Sequence, residues 1–208
     1  MKKAKQPRSQ ASADRIVAAA ERLVAQGGLS ALGLAGVLRE AGVSVGSFYA
    51  RFGGKKALVR HLADRFWTRV RAEWADRLEP GRWVGRPASA IVDGFAREAV
   101  RAHRQHWSVI RALVEYGLAN PDARLLKPAR EHDGFIVTRL GELLLARRHE
   151  IHHPDPALAI ELACLQVTGA LRTLILVGWP KTDRGAVGDD TLAAELARSF
   201  CAYLVVRR

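Results

Sequence analysis

The sequence has few of the residues that mark several common classes of protein. Among its 208 residues there are 2 cysteines, Cys164 and Cys201, and both lie in apolar, helix-like patterns. This scarcity excludes a disulfide scaffold and predicts reduced core thiols. Long apolar runs are also lacking, because the most apolar window, at about 162–179, is interrupted by Gln166 and Arg172. We therefore expect that segment to be too short and too polar to span a bilayer.

Signatures of enzymes and metal sites are absent as well. The sequence contains no GxSxG motif, no P-loop and no zinc-ligand spacing, and the histidines between 149 and 153 lie beside prolines where water is expected. We expect no catalytic residues, no metal site and no cofactor. The basic N-terminus is followed by no apolar stretch, so neither a signal peptide nor a membrane partner is expected, and a cytoplasmic protein is predicted.

Acidic residues are scarce near the N-terminus, and the excess of positive charge is uneven. The formal net charge is +12, and residues 1–60 hold 11 Lys and Arg against 3 Asp and Glu. This asymmetry favours contact between the N-terminal segment and phosphates. A generally basic surface would explain the charge equally well.

The stretch from Ala41 to Lys55 predicts the turn and second helix of a helix-turn-helix. Gly42 can adopt the left-handed conformation that the turn requires, and the Ser44 hydroxyl can cap the next helix. Helical spacing predicts that Val45, Phe48 and Phe52 hold this helix in place, while Ser47, Tyr49 and Arg51 remain accessible. A short, firmly held helix with a polar, basic outer face suits the major groove of DNA.

Two further helices precede this unit. Ser12 is predicted to cap the first, which carries Ile16, Ala20, Leu23 and Val24 on one face and ends at the Gly27-Gly28 pair. The second covers about 34–40 and is short enough to be the first arm of the helix-turn-helix. The three helices together predict a DNA-binding head.

These residues resemble the N-terminal pattern of the TetR family of bacterial transcriptional regulators over roughly residues 12–60. The matching residues are Ile16, Ala19, Ala20, Gly27, Ala41, Gly42, Val43, Ser44, Gly46, Tyr49, Phe52, Lys55 and Leu58. The sequence departs from the pattern at three places: Gly33 replaces a usual threonine, Val37-Leu38 replaces Ile-Ala, and Gly54 replaces a capping Ser or Asn. Gly33 removes a phosphate contact, and Leu38 adds bulk between the helices.

The resemblance implies which residues contact double-stranded operator DNA. They are Ser44, Val45, Gly46, Ser47, Tyr49, Arg51 and Lys55. Val45, Ser47 and Arg51 are expected to face the bases or the groove wall, whereas Tyr49 and Lys55 are expected to hold phosphates.

The rest of the chain shows helical periodicity and no strand-like alternation of useful length, so the fold class is predicted to be all-α. We expect a helix-turn-helix domain at 1–58, beginning with a flexible basic arm at 1–11. A helical ligand-binding and dimerisation domain is expected at 59–208. A long helix from Lys55 to about Leu78 would link the two domains.

Apolar faces of the last two helical segments predict self-association, and the resemblance implies a homodimer. The predicted interface residues are Leu158, Leu162, Leu165, Gly169, Leu176, Leu192, Leu196, Ser199 and Tyr203. Residues that could line a small-molecule pocket lie between the link helix and these segments: Trp67, Trp107, Arg111, Tyr116, Phe135, Arg139 and Thr168. Ordinary core packing is the alternative for both sets.

Taken together, the patterns predict a DNA-binding protein, and the resemblance implies a ligand-responsive regulator, a repressor released from a palindromic operator by an unknown small-molecule effector. The alternative is a constitutive or architectural DNA-binding protein without an effector. Release of DNA by a ligand would distinguish the two.

Overall fold

The computed structural model describes residues 5–29, 31–183 and 185–205, and over these ranges the chain is helical without β-strands. The helices are α1 (Lys5–Gly27), α2 (Leu34–Ala41), α3 (Val45–Phe52), α4 (Lys55–Arg77), α5 (Ala88–Gln105), α6 (Trp107–Ala119), α7 (Ala123–Leu145), α8 (Pro156–Leu176) and α9 (Asp189–Leu204). Short 3-10 turns follow α4 at Pro80–Trp83 and α7 at Arg148–Glu150. The predicted all-α class is confirmed.

The chain divides into two compact units. The head unit comprises Met1–Arg69 and Ser108–Arg130, and the body unit comprises Val70–Trp107 and Glu131–Arg208. Helix α4 is continuous across residues 69 and 70 and so contributes to both units. The domain boundary after residue 58 stays a prediction.

The first helix is longer than the sequence suggests. It begins at Lys5, so the predicted start at Ser12 is wrong, and Ser12 lies inside the helix. Pro7 does not prevent the earlier start, because in the first turn a missing N–H removes no intrahelical hydrogen bond. Helix therefore covers part of the predicted arm at 1–11, and residues 1–4 of that arm lie outside the described residues.

The head unit is held together by the buried face of α1. Ile16, Ala20 and Val24 are buried as their spacing predicts, and α1 packs on α2 and α3. The α1 helix ends where Gly28 takes a left-handed conformation (φ 67°) and donates its N–H to the Val24 carbonyl at 2.8 Å. Leu58 of α4 is 1% exposed, so the start of α4 belongs to the same core.

The body unit is built on α5, which packs along α9 and α8. Phe95 of α5 lies between Trp74 of α4 and Phe200 of α9, with ring centroids 5.7 and 6.0 Å away. Cys164 and Cys201 are buried, as the sequence predicts, and burial raises the pKa of Cys164 to about 12. Cys164 is therefore an unreactive core residue.

Helix α8 differs from its expected character. By length and composition Pro156–Leu176 is long and apolar enough to cross a bilayer, so the expectation that this segment is too short and too polar is wrong. Ile160 and Leu171 are nonetheless buried, and α8 packs on α5 and α9 within the body unit. A helix that packs in a protein core and also carries leucines on its exposed face can be as long and as apolar as a helix that crosses a bilayer.

Candidate nucleic-acid interface

The turn between α2 and α3 depends on a glycine. Gly42 ends α2 in the left-handed conformation (φ 60°, ψ 45°), which confirms the conformation predicted for it. Its backbone N–H donates to the Arg39 carbonyl, and the Val43 N–H donates to the Leu38 carbonyl. These bonds satisfy carbonyls that the end of α2 would otherwise leave without a partner.

Helix α3 begins at a serine cap, as predicted. Ser44 has extended backbone angles, and its Oγ accepts a hydrogen bond from the Ser47 backbone N–H at 3.2 Å. The Ser44 hydroxyl also donates to Ser47 Oγ at 3.1 Å. Because Ser47 Oγ is the acceptor in that pair, its own proton remains available to an acceptor outside the protein.

Helix α3 has one buried and one exposed side. Phe48 is 1% exposed and packs against Phe52 (5.9 Å between centroids) and edge-on against Tyr49 (5.4 Å). Val45 and Tyr49, one turn apart, are 54% and 50% exposed. The predicted packing role of Val45 is therefore wrong, because this first residue of the helix lies outside the contact that buries Phe48. Arg51 is exposed near the end of the same helix.

The passage from α3 to α4 requires glycine. Gly53 has φ 66° and donates its N–H to the Tyr49 carbonyl at 3.1 Å, and Gly54 has φ 147°. Side chains with a Cβ are strained at both angles. The turn places the exposed Lys55 at the first position of α4, where the partial positive charge of the helix end adds to that of the ammonium group.

A cluster of charges joins α4 to the segment before α7 within the head unit. Arg60 Nε donates to Asp122 Oδ2 at 2.7 Å, and Lys56 Nζ lies 3.6 Å from the same oxygen. Desolvation alone would raise the pKa of Asp122, but hydrogen bonds from Arg60 and from the Arg124 N–H hold that pKa below its usual value. Asp122 is therefore ionised at neutral pH and fixes the α4 side chains.

The residues predicted to bind the effector are divided between the two units. Trp67, Arg111 and Tyr116 lie in the head unit, and Trp107, Phe135, Arg139 and Thr168 lie in the body unit. Both arginines already have carboxylate partners on their own helices: Arg111 pairs with Glu115 at 2.7 Å and Arg139 with Glu142 at 2.8 Å. The Thr168 hydroxyl donates to the Cys164 carbonyl. Their role in ligand binding stays a prediction.

The body unit contains histidines at buried or partly buried positions, and helical spacing alone did not predict their surroundings. His103 Nδ1 lies 2.8 Å from the Ala99 carbonyl, and His106 Nε2 lies 3.3 Å from Glu73 Oε2. His132 of α7 is 7% exposed, and sequence reasoning missed it. Burial, reinforced by the charge of Arg71, lowers the pKa of His132 to about 4, and burial also lowers the pKa of His103.

The predicted dimer residues of α8 form an exposed apolar stripe. Leu158, Leu162 and Leu165 are 48%, 38% and 49% exposed, and a Cβ added to Gly169 would meet no atom within 4 Å. Leu176, Leu196 and Tyr203 are partly exposed, and Ser199 is exposed. Leu192 differs, because it is 8% exposed and packs inside the chain. The dimer interface stays a prediction, and it depends on the predicted residues other than Leu192.

Comparison with known proteins confirms the resemblance noted in the sequence. Residues 16–62 match the model of the bacterial regulatory proteins of the tetR family. No curated protein matches the chain.

Solved structures match over nearly the whole chain. GusR of Salmonella enterica is 16% identical, with a TM-score of 0.66 over 99% of this chain and 100% of that one. A TetR transcriptional regulator from Rhodococcus sp. RHA1 is 18% identical, with a TM-score of 0.56 over 94% and 97%. RolR in complex with resorcinol is 21% identical, with a TM-score of 0.55 over 93% and 89%. At these identities the matches show a shared fold.

Proposed function

We propose that this chain, which has the fold of the TetR-family transcriptional regulators, is a repressor that binds a palindromic operator as a homodimer and is released by a small-molecule effector. The observation that carries the proposal is the geometry of α3. A serine cap and the buried Phe48 hold the helix, while Val45, Tyr49 and Arg51 are exposed. This arrangement suits insertion of the N-terminal end of α3 into the major groove.

The exposed residues of α3 have different roles in this proposal. The Val45 side chain contacts a thymine methyl or the groove wall, Ser47 donates its free hydroxyl proton to a base edge, and Arg51 reaches a guanine or the groove wall. Tyr49 and Lys55 bind phosphates on either side. Ser44 and Gly46 keep the backbone of the first turn close to the DNA.

Effector release is proposed to work through α4. This helix is continuous from Lys55 to Arg77, so it has residues in both compact units. A ligand that tilts α4 would move Lys55 away from its phosphate and change the distance between the two heads of a dimer. RolR, which shares the fold, has been solved with resorcinol bound, and this supports a small-molecule effector here.

A constitutive or architectural DNA-binding protein is the alternative. A protein with either function would bind DNA through α3, but only a ligand-responsive regulator would release the DNA when a ligand binds.

The deciding experiment measures fluorescence anisotropy of the labelled DNA upstream of the gene, titrated with the full chain in the presence of a library of metabolites and drugs. All five tryptophans, at 67, 74, 83, 107 and 179, lie outside residues 1–58, so their emission reports ligand binding to the rest of the chain. A true effector changes the emission and releases the DNA over one concentration range. DNA must then weaken effector binding by the same factor, about 5 to 150-fold. A ligand that binds tightly without changing DNA affinity contradicts the coupling.

Replacement of Lys55 tests the phosphate contact. We expect Lys55→Ala to weaken binding to all DNA sequences and to reduce the slope of log K against log salt by about one unit, because a phosphate contact releases counterions without reading a base. Lys181→Ala removes an exposed lysine of the body unit and serves as the control. An unchanged salt slope in Lys55→Ala would remove this contact from the interface.

Replacement of Ser47 tests base reading. The α3 cap uses the Ser44 hydroxyl and the Ser47 backbone N–H, so Ser47→Ala keeps the cap, loses only the exposed bond between the two hydroxyls, and should change the melting temperature little. We expect loss of preference at one operator position, worth about 1 kcal/mol. Selection from a randomised operator library measures this, and the same base preference in both proteins would contradict a base contact by Ser47.

A further inference from the structure

The head unit contains an apolar cavity of about 180 Å³ between α1, α4 and α6. Its walls include Val24, Leu29, Leu62, Phe66 and Leu113, each no more than 7% exposed. None of the residues that the sequence predicts to bind the effector lines this cavity. The walls come from α1, α4 and α6 of the head unit, and the cavity is partly open to solvent.

Two charged side chains also line the cavity, and their surroundings differ. Glu21 is compensated by Arg65, whose Nε lies 3.4 Å from Glu21 Oε1. The Arg69 guanidinium lies over the Phe66 ring, 5.9 Å from its centroid, and no carboxylate pairs with it among the residues that the structure describes. The lining thus holds one negative group, whose charge Arg65 offsets from outside the cavity, and one positive group, Arg69, that is available to an anion.

We propose that this cavity binds a small aromatic carboxylate, with the ring among the apolar walls and the carboxylate on Arg69. An enclosed apolar cavity of about 150 Å³ accepts benzene, so a volume of about 180 Å³ is large enough for one aromatic ring. A guanidinium can hold a carboxylate through two parallel N–H···O bonds. The exposed Arg69 guanidinium lies beside the Phe66 ring at the rim of the cavity, where a ring-bound carboxylate would emerge.

Binding at this site would act on the DNA-binding head directly. The ligand would touch α1, which packs against both helices of the helix-turn-helix, together with α4, whose first residue is Lys55. It would stabilise the folded head by mass action. This site is separate from the proposed effector response, and its test requires no DNA.

The test uses isothermal titration calorimetry of the full chain with benzoate, and with toluene as the uncharged molecule of the same shape. We expect benzoate to bind with one site per chain and Arg69→Gln to weaken its affinity about tenfold or more, while toluene binding changes little. Arg39→Gln, a change at an exposed arginine of α2, controls for the loss of one positive charge.

A second pair of variants tests the position of the site. Ala25 lines the cavity at an exposed position of α1, so Ala25→Leu should fill part of the cavity without disturbing the core and should weaken both ligands. Ala72→Leu makes the same change on an exposed part of α4 in the body unit and should have no effect. Absence of benzoate binding at millimolar concentration would overturn the proposal, as would full affinity in Ala25→Leu. Binding of toluene but not of benzoate would overturn the role of Arg69.

Discussion

Leu165→Glu is expected to convert the proposed homodimer into monomers. Leu165 is 49% exposed on α8, so a glutamate there can remain hydrated in the monomer, and Glu has nearly the same helix propensity as Leu. In a symmetric α8 interface, two carboxylates would be buried among leucines, at a cost of at least about 3 kcal/mol. This cost corresponds to a dissociation constant raised roughly a hundredfold or more. Sedimentation velocity measures the change, and affinity for a palindromic operator should fall with it.

The matched control is Leu118→Glu. Leu118 is 72% exposed on α6 and lies outside the predicted interface, so the same change of charge should leave the sedimentation coefficient unaltered. A Leu165→Glu protein that sediments as the wild type does would remove the leucine stripe of α8 from the interface. The exposed leucines would then need a different partner.

The helix-turn-helix could be predicted because its signals are local. The left-handed turn at Gly42, the Ser44 cap and the burial of Phe48 each depend on residues within one or two turns of the helix. Sequence patterns report such geometry directly. The prediction that failed nearby, the packing of Val45, depends on whether another part of the chain covers this first residue of α3, and helical spacing does not report that.

The same distinction explains the wrong start of α1 and the burial of Leu192 within the chain. Ser12 has the chemistry of a cap, but the helix continues through it to Lys5, and a hydroxyl side chain does not by itself stop a helix. Leu192 shares its spacing with residues that are exposed, yet it packs inside the chain. Periodicity gives the face on which a residue lies, and it does not say whether that face meets the same chain or another copy.

The candidate ligand site was the hardest to predict. Its predicted residues fall in two compact units, and two of its arginines are paired with carboxylates one turn away. The cavity of the head unit, by contrast, is lined by ordinary core residues such as Val24 and Leu113. Spacing along one helix cannot show where three helices fail to fill the space between them.

The second large effect concerns acid stability and arises from His132. Its pKa is about 4 in the folded protein, because burial and the nearby charge of Arg71 disfavour the imidazolium, against 6.5 for an ordinary histidine. Between these values the unfolded chain binds a proton that the folded chain does not, so the free energy of unfolding falls as the pH is lowered. From about pH 7 to pH 5 this histidine alone should remove about 2 kcal/mol of stability.

Replacement of His132 by leucine should remove that contribution, because leucine binds no proton in either state. Urea unfolding of the wild type and His132→Leu at about pH 7 and pH 5 gives the effect as a double difference, in which the contributions of titrating groups far from His132 cancel. We expect the variant to lose about 2 kcal/mol less than the wild type on acidification. His149→Leu, a change at an exposed histidine, controls for the altered number of histidines. Equal losses of stability in the wild type and His132→Leu would show that His132 is protonated in the folded protein at pH 5, and would contradict the burial of a neutral imidazole in the body unit.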